Sequence, residues 1–88
     1  MTTASLKVIN SSGLHARPAA LFIREAKKHP CIITLHKDGS EPVNGKSIAA
    51  LLAAGIDMGD TVTVSADGEG EADAIQAISA LFESGFGE

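Results

Sequence analysis

The chain is poor in the residues that staple small folds. Its 88 residues include one cysteine, three prolines, three phenylalanines and neither tryptophan nor tyrosine. A lone Cys31 has no partner for an internal disulfide, and with no second cysteine nearby it cannot anchor a zinc site. That excludes a disulfide-framed secreted module. With so few aromatics the core must be aliphatic, which 44% hydrophobic residues allow. No apolar run approaches the ~20 residues needed to cross a bilayer. No basic segment followed by an apolar stretch marks a signal peptide. A cytoplasmic, monomeric protein with no membrane insertion is therefore expected, with residues 1–88 as a single domain.

Positive charge is missing from the second half. Residues 1–46 hold all seven Lys and Arg and three acids, whereas residues 47–88 hold eight acids and no Lys or Arg. The overall charge of −4 argues against nucleic acid as the main partner. The asymmetry fits an acidic, solvated C-terminal helix, or a local positive field in the N-terminal half that draws an anion or an acidic partner.

What is present reads as β-α-β-β-α-β-α. Leu6 and Val8 around Lys7 give a short alternating strand over Ser5–Asn10, broken by Ser11, Ser12 and Gly13. Ala16, Ala19, Ala20, Ile23 and Ala26 recur at helical spacing over Ala16–Lys28. Pro18 is tolerated only in the first turn of that helix, and Pro30 lies beyond its end. Cys31–Lys37 reads as a strand with Cys31, Ile33 and Leu35 on one face, followed by a turn at Asp38, Gly39 and Ser40. Pro42, Val43 and Asn44 make a short edge strand. Ser47 looks like the N-cap of a brief helix stopped by Gly55. Asp60–Asp67 alternates with Val62, Val64 and Ala66 inward. Ala74, Ile75, Ala77, Ile78, Leu81 and Phe82 stripe a last helix that Gly85 ends. The expected fold is α+β: an open-faced β-sandwich, a four-stranded antiparallel sheet with three helices on one face.

The most informative stretch is Ser12-Gly13-Leu14-His15-Ala16-Arg17-Pro18-Ala19. It sets His15 near the N-cap of the first helix. Helix-initial N–H groups lack internal partners and carry partial positive charge, so an anion on the ring, such as a phosphoryl group, is welcome there. Arg17 offers a planar fork for phosphate oxygens, and Ser12 a hydroxyl beside a glycine that permits close approach. A histidine at a helix start is by itself more often an ordinary surface residue. The joint presence of Ser12, Gly13, Arg17 and Pro18 weighs against that. The other histidines, His29 and His36, lie at no metal-ligand spacing, and neither metal nor cofactor is expected.

Ser12 to Ala20 closely resembles the phosphohistidine signature of HPr, the histidine-containing phosphocarrier of the bacterial sugar phosphotransferase system. The similarity continues through Phe22-Ile23-Arg24-Glu25-Ala26-Lys27, Gly45-Lys46-Ser47-Ile48, Gly55-Ile56 and Gly59 to the last helix. The resemblance implies that enzyme I, charged by phosphoenolpyruvate, passes a phosphoryl group to Nδ1 of His15. A sugar-specific IIA domain of a sugar permease then receives it. On that reading His15 is the acceptor, Arg17 is its phosphate partner, and Ser12 with the Ala16 and Arg17 amides lines the anion site. No acid–base pair, nucleophile triad or cofactor loop points to catalysis on a small molecule, so a carrier rather than an enzyme is expected.

Two surfaces suit partners. At 100° per residue Arg17, Arg24 and Lys28 fall within about 20° of one helix meridian, with Leu21 about 40° away and Lys27 flanking. Such a stripe is usually a solvated face, but beside His15 it suits an acidic, partly apolar partner. The second helix, Ile48 to Ala54, has no polar face. Leu51 should turn inward and leave Ile48, Ala49 and Leu52 as an exposed patch. The resemblance implies docking at these same three positions and basic contacts at Arg24 and Lys27, although Ala49 and Ala50 are smaller than the residues the family often carries there.

N-capping alone accounts for Ser47. The resemblance matches it to a regulatory serine that an ATP-dependent HPr kinase modifies, blocking transfer from enzyme I and favouring a transcriptional co-repressor target. Capping and modification are compatible. Two alternatives stand beside the sugar carrier. One is the nitrogen-related carrier branch, to which the ending Ala80 to Phe86 is similar. The other is a regulatory module that transfers nothing, against which His15 argues.

Overall fold

The computed structural model describes all 88 residues. Four strands, β1 (Thr2–Lys7), β2 (Ile32–Lys37), β3 (Val43–Asn44) and β4 (Thr61–Asp67), alternate with helices α1 (Ala16–Lys27), α2 (Ile48–Ala53) and α3 (Glu71–Glu83). The strands form one antiparallel sheet in the order β1-β4-β2-β3. The architecture is the expected one.

Alternation decides the faces. Val62, Val64 and Ala66 of β4 and Ile33 and Leu35 of β2 are buried, while Thr3, Ser5 and Lys7 of β1 are exposed on the opposite face. β4 lies centrally, in register with Leu6 at Val62 on one side and Leu35 at Val64 on the other. α3 packs on β1 and β4, and α1 packs on α2 and α3. The core joins Phe22 of α1 to Phe82 of α3 edge-on, with centroids 6.2 Å apart, and Phe82 to Phe86 at 5.0 Å. Edge-to-face geometry is the favoured aromatic arrangement.

Several boundaries differ from the sequence reading. β1 runs over Thr2–Lys7 rather than Ser5–Asn10. Its pairing with β4 ends at Lys7 opposite Thr61, after which Val8 donates to the Asp60 carbonyl and Asn10 turns into the loop. On α1 the buried face is Pro18, Ala19, Phe22, Ile23 and Ala26, whereas Ala16 and Ala20 are exposed. Small alanines satisfy a periodic pattern without committing to a side, and Phe22 decides it. Phe86 is buried in a 3₁₀ turn over Gly85–Gly87 that the last-helix pattern did not reach. Leu21, placed beside the basic stripe on the helical wheel, is half-buried and packs against the core.

Candidate functional site at the start of helix α1

The loop before His15 is held from below. Leu14 is fully buried, which contributes about 2 kcal/mol. Its amide donates to the Ile56 carbonyl at 3.0 Å. Gly13 makes that approach possible. It takes φ 63°, and a Cβ there would lie 2.7 Å from the Ile56 carbonyl oxygen and 2.9 Å from the Asp57 Cα. Any larger residue would push the two loops apart. Asn10, buried, fastens the same turn through Nδ2 to the Gly13 carbonyl at 2.9 Å.

His15 is the N-cap residue of α1, with extended backbone, and its side chain makes no capping bond. Ala16 follows at φ 52°, in the left-handed region. A non-glycine residue there costs about 1–2 kcal/mol. The Ala16 and Arg17 amides donate to no acceptor within the chain, and Pro18 has no N–H to leave unpaired. The helix therefore begins with an open, partly positive end. The His15 ring is 40% exposed, and its Nε2 lies 2.9 Å from Asp57 Oδ1.

A second carboxylate stands on the other side. Glu88 Oε1 accepts from the Ser12 amide at 3.2 Å and from Asn10 Nδ2 at 3.4 Å. Bonding from Ser12, with Asn10 and the nearby Arg17 charge adding, holds the Glu88 carboxyl below its usual range. A carboxylate thus rests on the Ser12 amide with the Arg17 charge nearby.

The structure brings Ser12, His15, Ala16 and Arg17 together at one helix end. Ser47 lies elsewhere, as the N-cap of α2, where its hydroxyl accepts from the Ala50 amide at 3.2 Å. Leu51 is fully buried, while Ile48 and Leu52 are 44% and 43% exposed and Ala49 is exposed beside them. Arg17, Arg24, Lys27 and Lys28 are all exposed, with Lys28 paired to Glu25 at 3.4 Å. His29 caps no metal site; its Nε2 meets Glu25 Oε2 at 2.9 Å, and that bond, with Lys28 assisting against partial burial, holds the Glu25 carboxyl low. No group of His, Cys, Asp and Glu could hold a metal ion, and no helix is long and apolar enough to cross a membrane. Sequence reasoning missed Asp57, Glu88 and Asn10. Asp57 and Glu88 reach the site across long loop closures that no local pattern announces, and Asn10 reaches it through a tight turn, bonding Gly13 three residues on.

A family model described as the PTS HPr component phosphorylation site matches residues 2–84. The chain belongs to the HPr family. Among HPr relatives, the HPr-like protein Crh of Halalkalibacterium halodurans is 40% identical over 83 residues, covering 94% of this chain and 98% of its own. The crystal structure of HPr-C-His from Thermoanaerobacter tengcongensis superposes with a TM-score of 0.96 at 43% identity, over 100% of this chain and 98% of that one. Crh of Bacillus subtilis, a catabolite repression protein whose crystals hold a domain-swapped dimer, gives 0.74 at 38% identity, over 97% of each chain.

Proposed function

We propose that this chain is a phosphoryl carrier with His15 as the acceptor. The observation that carries the reading is a half-exposed N-cap histidine with an unbonded Nδ1, beside two helix-initial amides that have no acceptor of their own. Enzyme I, charged by phosphoenolpyruvate, presents a phosphoryl group. The Nδ1 lone pair of His15 attacks phosphorus as the bond to the donor nitrogen breaks, and that electron pair returns to the donor ring. The Ala16 and Arg17 amides, Ser12 and the Arg17 guanidinium receive the phosphoryl oxygens. A IIA domain of a sugar permease then reverses the step. A carrier must not hold its cargo too strongly, and a solvent-open site built of amides and one flexible guanidinium meets that need. The protein acts as a phosphorylated co-substrate in the cytoplasm, as a monomer, without metal or cofactor.

The exposed basic face of α1, with Arg24, Lys27 and Lys28, and the exposed patch of Ile48, Ala49 and Leu52 on α2 would receive partners. Ser47 sits in that second patch, so phosphate placed on it by HPr kinase would add about −1.5 to −2 of charge to the docking surface. Kinship with Crh, a catabolite repression protein, supports a second reading in which a Ser47-modified form regulates transcription through a co-repressor target. Incubation with phosphoenolpyruvate and enzyme I, followed by a IIA domain, separates the readings. A phosphoryl group gained and then passed on is the carrier result. An unchanged mass there, together with a phosphoryl group gained from ATP and HPr kinase, is the regulatory result. Enzyme I of the nitrogen-related system in place of the sugar one assigns the branch.

A further inference from the structure

Asp57 stands outside the set of Ser12, His15, Ala16 and Arg17 that would receive the phosphoryl group. It belongs to no helix or strand, and its side chain is 71% exposed, yet its carboxylate meets the His15 ring at 2.9 Å. The placement is built by backbone. The Leu14 amide bonds Ile56, and Gly13 packs directly under the Asp57 Cα, so the residues on either side of the contact are fixed to each other. Asp57 is itself locked in a tight turn. Its amide donates to Asp60 Oδ2 at 2.8 Å, and the Asp60 amide returns a bond to the Asp57 carbonyl at 3.1 Å.

From this geometry we propose that Asp57 is a positioning residue for phosphoryl transfer, holding the His15 imidazole as its Nε2–H tautomer with the Nδ1 lone pair facing outward. The proposal rests on the carrier reading. The chemistry is simple. A carboxylate only accepts hydrogen bonds, and a neutral imidazole has one N–H. The nitrogen beside Asp57 must then be the donor, and Nδ1 is left with its lone pair. During transfer the Nδ1–P bond forms as the donor N–P bond breaks. Nε2 keeps its proton, and the positive charge left on the phosphorylated ring faces the Asp57 carboxylate. No further reactant is needed.

The test uses the intact chain with ¹⁵N-labelled histidine, alone and with enzyme I and phosphoenolpyruvate. In the natural chain the ¹⁵N shifts of His15 should report Nε2–H as the dominant neutral tautomer. Asp57→Ala should mix the tautomers and slow phosphorylation about two- to five-fold, the range expected of a solvent-exposed pair. Asp57→Asn, which can present either a carbonyl or an amide hydrogen, should fall between the two in tautomer balance. A purely structural role for Asp57 would leave the tautomer unchanged. Identical tautomer balance and identical rates in the natural chain and Asp57→Ala would overturn the proposal. A tautomer that depends on Asp57 in a chain that takes no phosphoryl group would overturn the carrier reading instead, and with it any part for Asp57 in transfer.

Discussion

Helices α1 and α2 begin in opposite ways. At α2 the chain closes its own end: the Ser47 hydroxyl takes the Ala50 amide, and the helix that follows is apolar all round. At α1 the residue in the capping place is a histidine that makes no capping bond, and the amides beyond it stay open. A cap usually adds about 1 kcal/mol of stability, so leaving one out is a cost, and Ala16 at φ 52° adds to it. Unfavourable local choices of this kind gather where a fold serves a ligand. The third helix shows another solution. α3 brings its own anion, since Glu71 in its first turn accepts from the Gly68 amide, Thr2 Oγ1 and the Met1 amino group. Only the start of α1 offers both an open end and a nucleophile.

Replacing the nucleophile breaks that contrast most severely. His15→Ala should take no phosphoryl group from enzyme I by intact mass, while its melting temperature stays within a few degrees, because the ring's one bond is a surface pair. Arg17→Ala tests the open end itself. Loss of a charge-assisted hydrogen bond worth ~1.5–3 kcal/mol should slow phosphorylation about ten- to hundred-fold in a stopped-flow transfer assay. At the closed end the effects should fall on stability instead. Ser47→Ala should lower the unfolding free energy in urea by about 1 kcal/mol and leave His15 phosphorylation unchanged. A changed phosphorylation rate there would show that the closed start of α2 also acts on transfer to His15, beyond its part in docking.

The smallest effect belongs to α3. Hydrogen bonds from Thr2, the Met1 amino group and the Gly68 amide depress the Glu71 carboxyl to about 2, from an ordinary 4.5. A depressed carboxylate stabilises the fold fully above its unfolded value, and the contribution fades as pH falls from 4.5 towards 2. Urea midpoints measured down that window should drop less steeply for Glu71→Gln than for the natural chain.

Much of this was legible in the residues, for local reasons. Val62, Val64 and Ala66 alternate, Ser47 precedes an apolar run, and His15 stands between a glycine loop and Pro18. Each signal is carried by neighbours in sequence, and each element follows from it. What sequence could not show needed the chain to return on itself. Asp57 reaches His15 only because Gly13 lets two loops touch, and Glu88 reaches Ser12 only because the Gly85–Gly87 turn folds back with Phe86 buried. Leu21 departs from its wheel position for a related reason: that position fits a basic stripe, but α1 packs against both α2 and α3, and that wide contact draws Leu21 half inward.

The most direct measurement charges the ¹⁵N-histidine-labelled chain with enzyme I and phosphoenolpyruvate and locates the phosphorus by ³¹P and ¹⁵N resonance. One acid-labile phosphoryl group bonded to Nδ1 of His15 is the result this account predicts. Phosphorus found on Nε2 or on another residue, or no phosphorus at all, would contradict it.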